Sequence, residues 1–218
     1  MKNKLPEGWK EVELGDVCKL SGGFAFKSSE FKDKGIPIVR ISNFNNDNVD
    51  LSNAVYYPSH SEKEFKDYLL EDEDVLIAMS GATTGKIGII TKNNLPCLLN
   101  QRVGRFIIKD KTILLQKYLL FLVKSNTFFS FIGKTAFGCA QPNISAKDIE
   151  SFSFILPPFS TQQKIVSILE KAEKAKEWRK EADDLTKDFL KSVFMKMFGN
   201  VAKNNKKWQT MQAEELFD

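Results

Sequence analysis

Residues 74–90 read DVLIAMSGATTGKIGII, two short apolar runs joined by a turn of glycines, hydroxyls and one lysine. Two folds compete for this stretch. A phosphate-binding loop would place it in a nucleotide-binding α/β protein, and that loop requires G-x-x-x-x-G-K-[ST]. The four-residue spacing wraps backbone N–H groups around the phosphates, and the closing hydroxyl holds Mg²⁺. Here three residues separate Gly81 from Gly85, and Ile87 stands where the hydroxyl is needed. The stretch therefore reads as a glycine turn between two strands, a hairpin in a mixed fold.

Charge distribution bears on what such a turn faces. The net charge of +4 is unremarkable, but residues 75–147 hold ten Lys/Arg against the single acid Asp110. Residues 61–74 hold seven acids against Lys63 and Lys66. The turn thus opens a basic segment, which suits a polyanion through counterion release. A solvated basic face with no partner is the competing reading. At 218 residues the chain is long enough for one good core with a smaller appendage. Nothing resembles a signal peptide, and the longest purely apolar run, YLLFLV at 118–123, is far too short to span a bilayer, so a cytoplasmic protein without membrane contact is expected. Cys18, Cys97 and Cys139 are odd in number and widely spaced, which suggests buried thiols rather than disulfides or a zinc site.

Strand-like runs recur at 36–41 (IPIVRI), 74–79, 86–90, 103–108 (VGRFII) and 151–156 (SFSFIL). One stretch among them has helical periodicity, 112–132, with Thr112 as cap and Ile113, Tyr118, Leu122, Phe128 and Phe131 as core contacts; Ser125-Asn126 is its natural break. The class is α+β. At LPPFSTQQKIV (156–166) the character changes, because two prolines end the globule and Ser160 with Gln163 has the spacing of a capping box. Ile168, Ala172, Ala175, Trp178, Ala182, Leu185, Phe189, Val193 and Met197 follow at spacings of three and four, one apolar stripe on a long helix stopped by Gly199. Such a stripe needs a second helix beside it. Three parts are expected: a globule over 1–158, a spacer helix over 159–199, and a tail over 200–218. The tail KKWQTMQAEELFD (206–218) faintly echoes EGWKEVELGDVCK (7–19), like the first line of a second copy.

Catalytic constellations are sparse. His60 is the only histidine and lies in a YYPSHSEKE loop, so it reads as a surface residue. Glu71, Asp72, Glu73 and Asp74 form a solvated turn before a strand, since consecutive acids on extended chain point to opposite faces and cannot share one ion. E-x-K elements at Glu30-Phe31-Lys32 and Glu64-Phe65-Lys66 are short enough to arise by chance in a chain rich in both residues. Leu156-Pro157-Pro158-Phe159 looks like the [DN]-P-P-[FY] motif of adenine-amino methyltransferases with its first residue replaced. Leucine cannot accept the hydrogen bond from a flipped base's amino group. The chain is not expected to transfer methyl groups itself.

Taken together, the opening LPEGWKEVELGDV, the strand GIPIVRISNF, LEDEDVLIAMSGATTGKIGII, NQRVGRF, GCAQPNIS and the exit SFILPPFSTQQKIVSILEKAE resemble the specificity subunit of type I restriction-modification systems, HsdS. The resemblance covers residues 5–200. It implies a target recognition domain followed by a conserved spacer helix, a unit that the family's usual chain carries twice, with the two helices pairing as an antiparallel coiled coil. This chain stops a few residues into the second unit, as either a truncated chain or a half-length subunit; in both cases two copies are expected to associate through residues 161–198. The resemblance further implies a sequence-specific reader of double-stranded DNA with no catalysis and no cofactor of its own. S-adenosylmethionine, ATP and Mg²⁺ would belong to the methyltransferase subunit and the restriction/translocase subunit that it directs to a bipartite site. Two rivals come from other classes: a small Mg²⁺-dependent endonuclease built on an E-x-K element, and an assembly protein that binds no DNA.

Base readout falls to Arg and Lys for guanine and to Asn and Gln for adenine, whereas phosphate contacts only position the protein. Polar residues outside regular elements are therefore the candidates: Lys27 and Ser28 after Gly22-Gly23, Asn43 after VRIS, Gln101 and Arg102, and Lys134 with Gln141 and Asn143. Thr83, Thr84 and Lys86 in the glycine turn are candidates for phosphates. Arg40 has two readings, DNA contact or an ion pair with the acids of 71–74, and Gln101 and Asn143 have a structural alternative in tying loops together.

Overall fold

The computed structural model describes residues 5–45, 48–58, 64–136, 142–212 and 215. The chain packs as two compact units, Met1–Val166 and Ser167–Asp218.

Among the described residues, the first unit holds eleven short strands. They are β1 (Lys10–Glu13), β2 (Cys18–Gly22), β3 (Ile36–Val39), β4 (Phe44–Asn45), β5 (Asn48–Val49), β6 (Val55–Tyr57), β7 (Val75–Ala78), β8 (Ile87–Ile89), β9 (Leu98–Leu99), β10 (Val103–Ile108) and β11 (Ser153–Leu156). Six form the main sheet in the order β2-β10-β7-β8-β5-β4. It is antiparallel except where β5 runs parallel to β8. A second sheet has the order β6-β3-β9, and β1 pairs with β11 across the length of the unit, Lys10 opposite Leu156. The five runs expected as strands all form strands; 103–108 does so over its full length, and the other four are trimmed at one or both ends.

β7 is the spine of this arrangement. Hydrogen-bonded to β10 on one edge and β8 on the other, it carries Val75 and Ile77 into one core and Leu76 and Ala78 into a second, all at 0% exposure. That alternation is the period-2 geometry of a strand with both faces covered. The larger core adds Leu119, Val123, Phe128 and Ile132 from two helices, α2 (Gln116–Val123) and α3 (Asn126–Ala136), with Phe152 and Phe154. A third core is aromatic, with Phe26, Tyr57 and Phe65 under the β6-β3-β9 sheet.

The helical stretch from 112 breaks at Ser125, as its polar pair predicts, but its phase differs from expectation. Thr112 does not cap it. Its backbone N and hydroxyl are both taken by Asp110 at 2.8 and 2.7 Å, which closes a turn ahead of α2, and Ile113 in that turn is exposed.

The long helix α5 runs from Phe159 to Phe198, about 60 Å at 1.5 Å per residue. It starts two residues earlier than the S-x-x-Q pattern suggests. The first carbonyl is that of Pro158, accepting from Thr161 and Gln162, so Ser160 already lies inside the helix. Gln162, fully buried, uses both ends of its amide: Oε1 accepts from Leu115 N, and Nε2 donates to the carbonyls of Ile113 and Pro157. The helix ends at Gly199, whose N–H donates to Met195 O.

In the second unit, Ile168, Trp178, Leu185, Phe189 and Met197 are exposed on α5, as are Ala172, Ala175 and Ala182, while Val193 is half-buried. After Gly199 the chain turns back on itself. Trp208 donates its indole N–H to Phe198 O at 2.9 Å and packs its ring on Phe198. The later part of the tail echo, with Ala213 and Leu216, falls outside the described residues.

Candidate nucleic-acid interface

The turn of residues 80–86 is a hairpin loop between β7 and β8, not a phosphate cradle opening a helix. Gly81 and Gly85 sit at φ of +76° and +85°, conformations that glycine adopts without steric cost. Around this loop the backbone gathers four other stretches that are far apart in sequence. Met79 N donates to Arg102 O at 2.9 Å, Ile144 N to Met79 O at 3.0 Å and Gly81 N to Pro142 O at 3.0 Å. Gln101 N reaches Phe24 O at 2.9 Å, and Asn100 N reaches Val39 O at 3.2 Å. The ends of β2, β3, β7 and β9 and the segment before α4 (Ala146–Glu150) therefore meet at one edge of the molecule.

Most of the sequence-derived candidates sit on this edge or next to it. Lys27, Ser28, Lys86, Gln101, Arg102 and Asn143 are exposed. Lys134 is exposed on α3, two residues after Ile132, which packs so closely on Gly85 that a Cβ there would lie 2.7 Å from it. Gln141 and His60, together with Cys139, fall outside the described residues.

Two candidates are committed to the fold instead. Asn43 is 4% exposed; its Oδ1 accepts from Arg40 N and its Nδ2 donates to Asp50 O, so it closes the loop after β3 and has no amide edge left for a base. Thr84 is 7% exposed, and its hydroxyl lies 2.7 Å from Gly81 O and 3.2 Å from Pro142 O, which ties the hairpin to the neighbouring segment. Its short reach and internal acceptors take it away from phosphates. Thr83 differs, because its Oγ1 is buried with no hydrogen-bond partner, as is Ser80 Oγ beside it.

The ion pair expected of Arg40 belongs to another arginine. Arg105 on β10 holds Asp74 at 3.0 Å and Glu71 at 3.7 Å, while Arg40 places its guanidinium 6.0 Å from the Phe31 ring centroid and leaves Nε buried without a partner. Sequence reasoning missed Arg105 because it lies in the apolar run VGRFII; its half-buried position follows from register, Arg105 standing opposite Leu76 and Ser21. Asp74 also accepts Glu71 N at 2.7 Å, yet burial still pushes its carboxyl above the usual range, outweighing the Glu71 N–H and Arg105. Of the E-x-K elements, Phe65 is buried in the aromatic core and Glu30 accepts the Tyr57 hydroxyl. The thiols of Cys18 and Cys97 are buried and pushed up to about 12 by desolvation, which keeps them protonated and inert at neutral pH.

Between Arg102 and Asn143 lies a cleft of about 720 Å³, floored by Met79 and Ser80 and flanked by Gln101, Pro142 and Ser145. Ser145 is engaged with Asp148, donating through N and Oγ to Oδ2 and accepting from Asp148 N, which caps α4. Bound in this way, the Asp148 carboxyl is held below its usual range by the Ser145 hydroxyl and N–H.

An α+β domain whose polar loops converge on one edge, continued by a single long helix, is an architecture found in solved structures. A chain from a structure of the type I R-M system aligns with a TM-score of 0.65 at 22% identity, over 88% of this chain and 45% of that one. The HsdS subunit from Thermoanaerobacter tengcongensis aligns with a TM-score of 0.62 at 21% identity, over 91% and 47%. Residues 6–183 match the family described as type I restriction modification DNA specificity domain, and the chain belongs to that family. Among curated relatives, the EcoAI specificity subunit of Escherichia coli is 33% identical over 167 residues, 75% of this chain and 28% of that protein. The MjaVIII specificity subunit of Methanocaldococcus jannaschii is 28% identical over 206 residues, 93% of this chain and 48% of that protein. The chain thus spans half or less of the length of these relatives.

Proposed function

We propose that this chain is the DNA-reading subunit of a type I restriction-modification complex, and that two copies act together. One observation carries the reading: five segments separated by up to 120 residues meet at one edge and present Lys27, Lys86, Gln101, Arg102 and Asn143 to solvent. Loops held on a rigid sheet and carrying cations and amides suit phosphate anchoring and base-edge readout. The chain supplies specificity and no catalysis; methyl transfer to adenine, DNA translocation and cleavage, with their S-adenosylmethionine, ATP and Mg²⁺, are the work of a modification subunit and a restriction subunit. The exposed apolar stripe from Ile168 to Met197 is the surface on which a second copy pairs, giving two recognition units for the two halves of a bipartite site.

The test is a genome-wide map of N6-methyladenine with this gene intact and disrupted. Loss of one bipartite motif with identical inverted halves is the expected result, and an unchanged map would overturn the reading. The pairing is tested separately by sedimentation: a monomeric mass at micromolar concentration would remove the second copy.

A further inference from the structure

The cleft beside Ser80 has a construction that the loops around it do not share. Its floor is the end of β7, and it is bordered on one side by the turn at 101–102, through the Met79 N to Arg102 O bond, and on the other by residues 142–144, through the Ser80–Asn143 bridge. Those backbone groups are spent on each other. What remains to face the cleft is side chains: Ser80 in the floor, Gln101 and Arg102 on one wall, Asn143 on the other.

Two of these are incomplete in the chain alone. Ser80 Oγ is buried and has no hydrogen-bond partner, an arrangement that a native fold rarely retains unless something else supplies the partner. Arg102 is exposed and has no ion pair among the described residues, whereas Arg105, three residues on in β10, is ion-paired with Asp74 and Glu71. A cleft of about 720 Å³ accommodates the edge of a base pair with room for the groove wall.

Resting on the function proposed above, we propose that this cleft reads one guanine of the target, with Arg102 donating to its O6 and N7 and Ser80 turning its buried hydroxyl out of the floor to complete the contact. Arg fits this because its planar fork matches the two acceptors that guanine presents in the major groove, a pattern no other base offers. Asn143 and Gln101 border the same base and limit what fits beside it. A simple phosphate contact is the rival for Arg102, and the two differ in what they do to sequence preference.

The experiment selects binding sites from a randomised duplex library with the full chain, alone and with its methyltransferase subunit, for the wild type, Arg102→Ala and Ser80→Ala. The expected outcome for Arg102→Ala is loss of preference for guanine at a single position, on the order of ten- to a hundredfold, with every other position unchanged. Even weakening across all sequences would mean a phosphate contact and would overturn the proposal, as would an unchanged motif. Ser80→Ala should melt at the wild-type temperature, because no hydrogen bond is lost on folding, yet bind the guanine-containing site several-fold more weakly. A lowered melting temperature with intact preference would assign Ser80 to the fold alone. If the wild type selects no motif at all, the DNA-reading function itself fails, an outcome distinct from loss of one position in the variant.

Discussion

Asp74 and Ser80, just beyond the two ends of strand β7, are six residues apart, on the order of 20 Å along the chain, and their surroundings are built on opposite terms. At the Asp74 end the charges are matched within the chain: Arg105 bridges Asp74 and Glu71, and Glu71 N donates back to Asp74, although Arg105 Nε, 3.0 Å from Asp74, makes no directed hydrogen bond. At the Ser80 end, Lys86 and Arg102 have no ion-pair partner among the described residues, and two buried hydroxyls, of Ser80 and Thr83, have no bond. The difference teaches where the chain keeps its internal bonding and where it leaves bonding capacity for another molecule.

The sharpest way to break this comparison is Arg105→Ala. Removing one member of a largely buried pair strands Asp74, so unfolding in urea should show a loss of about 3 kcal/mol, with the binding motif of the surviving folded protein unchanged. At the other end, Gly23→Ala would place a Cβ 2.1 Å from Leu99 O, forcing apart the segments that Phe24 N and Leu99 O hold together. A loss of about 2 kcal/mol is expected, measured in the same way, together with weaker DNA binding as the edge is rearranged. Ser145→Ala removes the cap of α4 beside the cleft and should cost about 1 kcal/mol.

Lys86→Ala should leave the urea midpoint unchanged and reduce the slope of log affinity against log salt by about one, evenly across DNA sequences. Acid should separate the ends by sign. The raised carboxyl of Asp74 gives stability that is complete below its unfolded value of 3.8 and lost as pH rises through the folded one. The lowered carboxyl of Asp148 gives stability present above 3.8 and lost as pH falls through its folded value. Melting curves between pH 3 and pH 6, roughly the window around ordinary carboxylates, should therefore show opposite changes of slope in Asp74→Asn and Asp148→Asn.

Much of the fold was legible from local pattern. β-branched runs bounded by Gly, Asn and Pro became strands because that pattern depends on neighbours in sequence, and the stop at Gly199 did too. The helix phase around 112–132 was not legible, since Asp110 captures Thr112 and shifts the first helical turn to Gln116, moving Ile113 outward. Gln162 shows the same limit more strongly. Nothing in its local sequence marks it for burial, and only the arrival of residues 113–115 and Pro157 makes it a buried clasp.

For the site, residue types picked out several cations and amides that the structure leaves exposed. They did not separate them from Asn43 and Thr84, whose partners Asp50 and Pro142 come from turns that the sequence does not place nearby. The cleft was illegible because it depends on strand pairings between residues 79, 102 and 143.

The burial of β7 has a consequence for how such a domain can change over generations. Its amides, shielded on both edges and both faces, belong to the part of the chain that opens only when everything opens, and should exchange with deuterium last. The side chains that line the Ser80 end contribute little to that closed state. On the proposed function, replacing Arg102, Gln101 or Asn143 would alter what is read while the spine beneath keeps folding as before, which would put a new specificity within reach of single substitutions.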